Sequence, residues 1–258
     1  MEKKKVRLDL ELVKRGLAPA REKAQSLIMA GEVLVDGQVE IKSDRKISRQ
    51  CEIVIKRRYP YVSRAAFKIK KAFEAFHIEG KGLKVLDIGI STGGFSDYML
   101  QQAVDFIVGV DVNIDQVDYN LRANERLRLL KKNARYLKQA DLEFQPDLIT
   151  IDVSFISITK IIPALVVFPE AKILALIKPQ FESDKSDVSK GGVMTDKKVI
   201  ASTIIRVKHD LEQFNFSITG FIPAGIKGKK GNQEYFFQLE YGKKNTISDK
   251  IISYEIEV

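Results

Sequence analysis

Val85-Leu-Asp-Ile-Gly-Ile-Ser-Thr-Gly-Gly-Phe-Ser-Asp97 is the stretch on which the fold turns. Val85, Leu86 and Ile88 read as a short buried strand. Gly89, Ser91, Gly93 and Gly94 follow at once, and a helix is expected to start near Phe95. A strand, a glycine-rich turn and a helix N-terminus form a nucleotide-type cofactor site. The bare backbone can approach a ligand there, and the helix end offers free N–H groups. Asp87 sits inside the strand end. A second acid, Asp111, closes the next apolar run, Phe106-Ile-Val-Gly-Val110, and Val112 follows it. A carboxylate about 20 residues beyond such a turn can grip ribose hydroxyls. A dinucleotide fold wants G-x-G-x-x-G, but Ser91 stands at its second glycine. A strand–helix turn that simply needs glycines would look similar, so the rest of the chain decides.

Composition narrows the choice. The chain has 258 residues, 45% hydrophobic and 30% charged. That suits a soluble globular protein with one large domain and one small one. Cys51 is the single cysteine, so no disulfide framework is possible. With only two histidines, a Cys/His metal site is not expected. No apolar segment follows the basic start and no run of 18 apolar residues occurs, so neither a signal peptide nor a membrane span is expected. A cytoplasmic protein is the natural reading. Residues 1–60 carry +6 of the net charge of +9. That asymmetry points to a polyanion met first by the N-terminal part.

Residues 6–16 read as a first helix stopped by Gly16, and residues 20–30 as a second stopped by Gly31. Glu32-Val-Leu-Val-Asp-Gly37 reads as a strand entering an Asp-Gly hairpin. Val39, Ile41, Ile47 and Ile53-Val-Ile55 continue in extended structure. Two helices followed by this hairpin resemble the small alpha-L RNA-binding module, with Arg21-Glu-Lys-Ala-Gln-Ser-Leu-Ile-Met-Ala-Gly-Glu-Val-Leu-Val-Asp-Gly37 carrying the likeness. On that resemblance Arg7, Lys14, Arg15, Arg21 and Lys23 would contact phosphates. The module is expected over 1–58. The basic stretch Lys56-Arg-Arg-Tyr-Pro-Tyr61 reads as the connection, with the linker proper at 59–62.

From Ser63 to 242 the pattern alternates between helices and strands, which predicts a mostly parallel α/β sheet. Ser63 is expected to cap a helix bearing Lys68. Helices are also expected over 116–124, 158–167 and 197–214. Further strands are expected at 127–130, 147–151, 172–177, 218–222 and 235–241. Glu182 to Gly192 reads as a mobile lid. The tail, 243–258, has no assignment. Only about 11 residues separate the last two strands, so the seventh should run antiparallel. Asp152, Lys178 and Glu234 then fall at one sheet edge, and Lys68 can reach it from its helix.

The loop D-x-G-x-S-x-G-G-F resembles the cofactor loop of S-adenosylmethionine methyltransferases that act on RNA ribose. The order Lys68, Asp152, Lys178, Glu234 matches the Lys-Asp-Lys-Glu tetrad of RNA ribose 2′-O-methyltransferases. Seven motifs are similar to the TlyA (haemolysin A) family. They are Ser63-Arg-Ala-Ala-Phe-Lys68, Ser91-Thr-Gly-Gly-Phe95, Asn133-Ala-Arg135, Asp152-Val-Ser-Phe-Ile-Ser157, Lys178-Pro-Gln-Phe-Glu182, Gly191-Gly-Val193 and Gly231-Asn-Gln-Glu-Tyr-Phe236. The likeness spans about residues 6–240. It implies a Rossmann-like, seven-stranded methyltransferase domain joined to the RNA-binding module. It also implies methylation of cytidine ribose in ribosomal RNA, as naked RNA or in a subunit. S-adenosylmethionine would be held by Asp87, Gly89, Ser91, Gly93, Gly94, Phe95, Asp111, Val112 and Asn133. Arg64, Lys227, Lys229 and Lys230 would add RNA contacts.

The chemistry agrees with those roles. A ribose hydroxyl is a poor nucleophile near neutral pH. A lysine can take its proton only where burial or a neighbouring lysine favours the neutral amine. Lys178 is the expected base, Asp152 its orienter, and Lys68 and Glu234 the groups that position the ribose. An exocyclic-amine methyltransferase would show Asn/Asp-Pro-Pro-aromatic where Asp152-Val-Ser-Phe155 stands. Cytosine C5 chemistry would need a cysteine in the catalytic domain. A non-catalytic RNA-binding factor, a nicotinamide oxidoreductase and a membrane-lytic protein are the rival classes. The last gains nothing from a chain without a span or a long basic amphipathic helix.

Overall fold

A computed structural model describes residues 5–18, 20–55, 60–189, 191–228 and 230–257. It divides into two compact units, 1–62 and 63–258.

The first unit is built from β1 (Lys5–Arg7), α1 (Leu8–Lys14), α2 (Arg21–Met29), β2 (Val33–Val35), β3 (Gln38–Glu40), β4 (Lys46–Ser48) and β5 (Ile53–Ile55). β2 pairs antiparallel with both β3 and β5. Leu8, Leu12, Ala24, Ile28, Val33 and Val35 form its core. Asp36 and Gly37 both have positive φ, +50° and +80°, as the tight Asp-Gly hairpin requires. The first helix is shorter than its hydrophobic spacing predicts. Val6 is drawn into β1, which pairs with Ile47 of β4. The first free helix amides, of Leu8 and Asp9, are taken by the carbonyls of Arg45 and Ser43.

The second unit contains α3 (Ala65–Ala75), β6 (Lys84–Ile88), α4 (Gly94–Gln101), β7 (Phe106–Asp111), α5 (Tyr119–Arg122), β8 (Leu127–Lys131), β9 (Leu148–Ile151) and β10 (Lys172–Ile177). After these come α6 (Pro179–Glu182), α7 (Lys197–Glu212), β11 (Phe216–Pro223), β12 (Tyr235–Tyr241) and α8 (Asp249–Glu257). Its sheet has seven strands in the order β11-β12-β10-β9-β6-β7-β8. The strands from β10 to β8 run parallel, and β12 is antiparallel to both β10 and β11. The seventh strand is antiparallel, as the short connection requires. Leu86, Ile88, Val108, Ile149, Ile151 and Ile173 are buried in the sheet interior, because helices and turns cover both faces of a parallel sheet. Chain order reverses between β6 and β9, and a ligand crevice is expected at such a switch point.

Several expected elements differ. Residues 158–167 form two 3₁₀ turns, Ile158–Lys160 and Ile162–Leu165, and not one helix. Pro163 has no N–H and breaks the helical ladder, although Ile158, Ile162 and Leu165 are buried as their spacing suggests. Residues 116–124 are divided in the same way. Asn113 caps a 3₁₀ turn at Ile114–Gln116, and Asp118 caps the single turn of α5. Such side-chain caps restart the backbone every few residues. Glu182, expected to open a mobile lid, ends α6 and is buried. The tail that resisted assignment contains α8. Its Ile252 and Ile256 join the main core beside Val207, Leu211 and Ile218.

Candidate active site

A cavity of about 330 Å³ opens at the carboxyl ends of β6, β7 and β9. Its floor is the loop after β6. Gly89 has φ +82°, and a Cβ there would strike the Asp152 carbonyl, so only glycine lets the two loops meet. Ser91 also lies in the left-handed region, at φ +50°. Its N–H donates to Asp111 Oδ2 at 3.0 Å, and the Asn113 N–H donates to Oδ1 at 3.0 Å. Two backbone donors therefore fix the Asp111 carboxylate at the end of β7, beside the cavity. Asn133 faces the cavity and caps its own turn, accepting the Arg135 N–H at 3.1 Å. Val112, Ile156 and Ile161 add apolar wall.

Of the residues expected to hold a cofactor, Gly89, Ser91, Asp111, Val112 and Asn133 line this cavity. Asp87, Gly93, Gly94 and Phe95 do not. Asp87 is buried beneath the loop, accepting the hydroxyls of Ser96 at 2.6 Å and Thr150 at 2.7 Å. Burial pushes its carboxyl up to about 6; the two hydroxyls oppose that, and the charge of Asp152 adds to it. Gly93 packs on Leu121 and Gly94 on Ser63 and Ala65. Phe95 is buried with its ring 6.0 Å from that of Phe236. These residues shape the loop from behind. The lining also includes Gln116, Lys132, Val153, Ser154 and Phe155, which sequence reasoning passed over. The last three belong to the Asp152-Val-Ser-Phe-Ile-Ser157 motif, and that membership is the signal that could have found them.

The four charged residues form two ion pairs. Lys68 Nζ of α3 lies 2.5 Å from Glu234 Oε2, just before β12. Lys178 Nζ, just after β10, lies 2.5 Å from Asp152 Oδ1, just after β9. The strand register explains the convergence. Ile177 pairs with Tyr235 across the antiparallel ladder, which leaves Lys178 and Glu234 side by side at one sheet edge. Lys68, Lys178 and Glu234 are buried, and Asp152 is half-buried and lines the cavity. Gly228 closes over Glu234 so tightly that a Cβ would meet its Oε1.

The loop that carries Asp152 is tied to the segment that carries Lys178. Lys178 Nζ donates to Ser154 Oγ at 3.0 Å. The rings of Phe155 and Phe181 lie 4.9 Å apart. Glu182 Oε1 accepts the Ile158 N–H at 3.0 Å, and burial pushes the Glu182 carboxyl up. Phe155 is otherwise 88% exposed and has φ +65°. That is a costly conformation for a bulky residue, and strain of this kind gathers at functional sites.

The basic residues divide by environment. Asp9 is fully buried and accepts two hydrogen bonds from Arg7, one from Arg21 and one from Gln25. The Arg7 guanidinium holds the Asp9 carboxyl well below the usual carboxylate range, against its burial. Arg7 and Arg21 are thereby fixed on one anchor. Arg15 is used internally, bonded to Glu11 and to the carbonyls of Cys51 and Arg49. Lys14, Lys23, Arg64, Lys227 and Lys230 are exposed. Lys229, and the linker residues 56–59, lie outside the described residues.

A seven-stranded sheet with this strand order and a glycine-floored crevice at its switch point define a methyltransferase fold. The FtsJ-like methyltransferase model matches residues 61–241, and the S4 domain model matches residues 6–45. The chain is 36% identical to the 16S/23S rRNA (cytidine-2′-O)-methyltransferase TlyA of Mycobacterium tuberculosis over 252 residues, 96% of this chain and 94% of the relative. It is 38% identical to the putative rRNA methyltransferase YqxC of Bacillus subtilis, over 93% and 88%. A solved structure of a putative hemolysin from Streptococcus thermophilus is 32% identical and superposes with a TM-score of 0.75, over 99% and 95%. The chain belongs to the TlyA/haemolysin A family, in which an S4 domain precedes an FtsJ-like methyltransferase domain.

Proposed function

We propose that this protein transfers a methyl group from S-adenosylmethionine to the 2′-hydroxyl of a cytidine ribose in ribosomal RNA. One observation carries the reading: Asp152 both lines the cofactor cavity and pairs with Lys178 at 2.5 Å. The cavity therefore adjoins a proton-handling pair.

The cavity residues suit the cofactor. Asp111 would take the ribose hydroxyls, Asn133 and the apolar wall the base, and Gly89 with Ser91 the backbone approach to the tail. When bound, S-adenosylmethionine supplies an electrophilic methyl group on a sulfonium.

The chain's own groups do the rest. Lys178 in its neutral form accepts the 2′-hydroxyl proton at Nζ. Asp152 orients that amine and stabilises it once protonated. The Lys68–Glu234 pair, a donor and an acceptor fixed to each other, holds the ribose. Phe155, exposed beside Asp152, offers a stacking face to the base of the target nucleotide, and such stacking is worth about 1–3 kcal/mol per base. Arg7 and Arg21 on their Asp9 anchor, with Lys14 and Lys23, contact RNA phosphates. Arg64, Lys227 and Lys230 add contacts near Glu234, and Lys229, next to them in sequence, adds its charge. A ribosomal RNA substrate places the work in the cytoplasm.

The test is transfer of labelled methyl from S-adenosylmethionine to 30S subunits, 50S subunits and protein-free rRNA, with Lys178→Ala in parallel. The expected result is label that resists alkaline cleavage 3′ to the modified ribose, absent with the variant. The variant should keep its cofactor affinity by calorimetry. Equal loss of single-turnover rate and cofactor binding in Lys178→Ala would remove Lys178 from the role of base.

A further inference from the structure

We infer that Ser154 is a positioning residue that aims the Lys178 amine at the 2′-hydroxyl; the inference rests on the methyl-transfer reading above. Three observations carry it. Lys178 Nζ donates to Ser154 Oγ at 3.0 Å. The same nitrogen lies 2.5 Å from Asp152 Oδ1, a close ion pair. Both Asp152 and Ser154 line the cofactor cavity, whereas Lys178 is buried behind them.

An amine nitrogen has four tetrahedral directions. In Lys178 one is Cε and one points to Ser154, while Asp152 Oδ1 lies 2.5 Å away as a charge partner that makes no hydrogen bond among the described residues. A neutral lysine has two N–H bonds and one lone pair. With Cε and the N–H to Ser154 fixed, the second N–H and the lone pair share the two remaining directions, and the Asp152 carboxylate favours the N–H on its own side. Without Ser154 the amine can rotate about its last C–C–N torsion, and the lone pair is no longer held. Asp152 alone cannot prevent that, because an ion contact without a hydrogen bond fixes no N–H direction. During transfer the 2′-hydroxyl proton passes to Nζ as its oxygen takes the methyl group, and the sulfonium becomes a neutral thioether. Ser154 then accepts from the resulting ammonium as it did from the amine, so no hydrogen bond is lost. The backbone supports this aim: the Phe155–Phe181 ring contact and the Ile158–Glu182 hydrogen bond hold the loop of Ser154 against the segment of Lys178.

The experiment compares wild type, Ser154→Ala, Ser154→Thr and Lys178→Ala on the RNA substrate that the wild type methylates. Loss of orientation at a catalytic group costs about 10- to 100-fold in rate. Ser154→Ala should therefore lower single-turnover kcat about 10- to 100-fold, with the cofactor Kd and RNA KM within about twofold. Ser154→Thr keeps the hydroxyl, and Ser154 is exposed enough to admit a methyl group, so it should recover most of the rate. A Ser154→Ala enzyme with wild-type kcat overturns the inference. So does equal loss of rate and cofactor affinity that threonine fails to restore. Absence of transfer by the wild type itself fails the methyl-transfer reading and takes the inference with it.

Discussion

Lys68 and Glu234 are 166 positions apart in the chain, yet their charged atoms lie 2.5 Å apart with both side chains nearly closed off from water. Removing one partner of a buried pair leaves the other charge uncompensated, at a cost of about 3–5 kcal/mol. Lys68→Ala should lose stability on that scale in urea unfolding. The double variant Lys68→Met/Glu234→Leu should return to within about 1 kcal/mol of wild type, since apolar replacement of a whole buried pair is often neutral. Both variants should be inactive. A double variant no more stable than Lys68→Ala would mean that the pair is not the source of the loss.

Asp87 should make the protein less stable as pH rises through the weakly acidic range. Burial, aided by the charge of Asp152, raises its folded value to about 6 from 3.8. A raised acid leaves the folded state holding the proton that the unfolded chain has released. Stability from this group is therefore complete below 3.8 and lost as pH rises to about 6, amounting to about 3 kcal/mol. Asp87→Asn removes the titration. The difference in unfolding free energy between variant and wild type should thus grow in the variant's favour from pH 4 to pH 6 and be flat above pH 7. A difference independent of pH would contradict the assignment.

Parts of this architecture were legible because local physics and global fold agree. The apolar runs ending at Ile88, Val110, Ile151 and Ile177 read as strands because parallel strands are buried on both faces. Asp152 and Lys178 could be placed at one edge because each follows the carboxyl end of a parallel strand, and Glu234 joins them because the 11-residue connection makes its strand antiparallel. Other parts depend on contacts that no spacing reveals. Ile158, Ile162 and Leu165 are spaced like a helix face and are buried, but Pro163 forces turns. Arg15 looks like a phosphate contact until Glu11, Cys51 and Arg49 claim it. Asp87 looks like a ligand-facing acid, but Ser96 and Thr150 hold it under the loop. Ile252 and Ile256 identify α8 only once Lys208 supplies a partner for Asp249.

Gly89 and Gly82 separate crowding from backbone strain. Both have positive φ, +82° and +79°. A Cβ at Gly82 meets nothing, whereas one at Gly89 meets the Asp152 carbonyl. Gly82→Ala should cost only the left-handed penalty, about 1 kcal/mol. Gly89→Ala must also displace the loop of Asp152. It should cost at least about 2 kcal/mol and weaken cofactor binding more than tenfold by calorimetry. Similar behaviour of the two variants in both assays would argue against close packing of the two loops.

The docking of α8 should be released by acid. Lys208 is buried and lies 3.0 Å from Asp249 and 3.1 Å from Glu212. His209 places a ring nitrogen 3.1 Å from each of the same two carboxylates. The Lys208 hydrogen bond holds the Asp249 carboxyl low against burial. Burial pushes Glu212 up, but Thr246, Lys208 and His209 together bring it below its ordinary value. Burial likewise works to lower Lys208, and its two carboxylate partners outweigh it. A depressed acid stabilises above its unfolded value and loses that contribution as pH falls through its folded one. A raised lysine stabilises below its unfolded value and loses that contribution as pH rises through its folded one. The clamp therefore acts fully between 4.5 and 10.5, the ordinary values of Glu212 and Lys208. Hydrogen exchange at pH 7 should protect the α8 amides. Below pH 4 that protection should fall while α7 stays protected, because α7 keeps Ile204, Val207 and Leu211 in the core. Asp249→Asn should weaken α8 protection already at pH 7. Protection of α8 unchanged between pH 7 and pH 3 would show that the apolar contacts of Ile252 and Ile256 hold the helix without the charges.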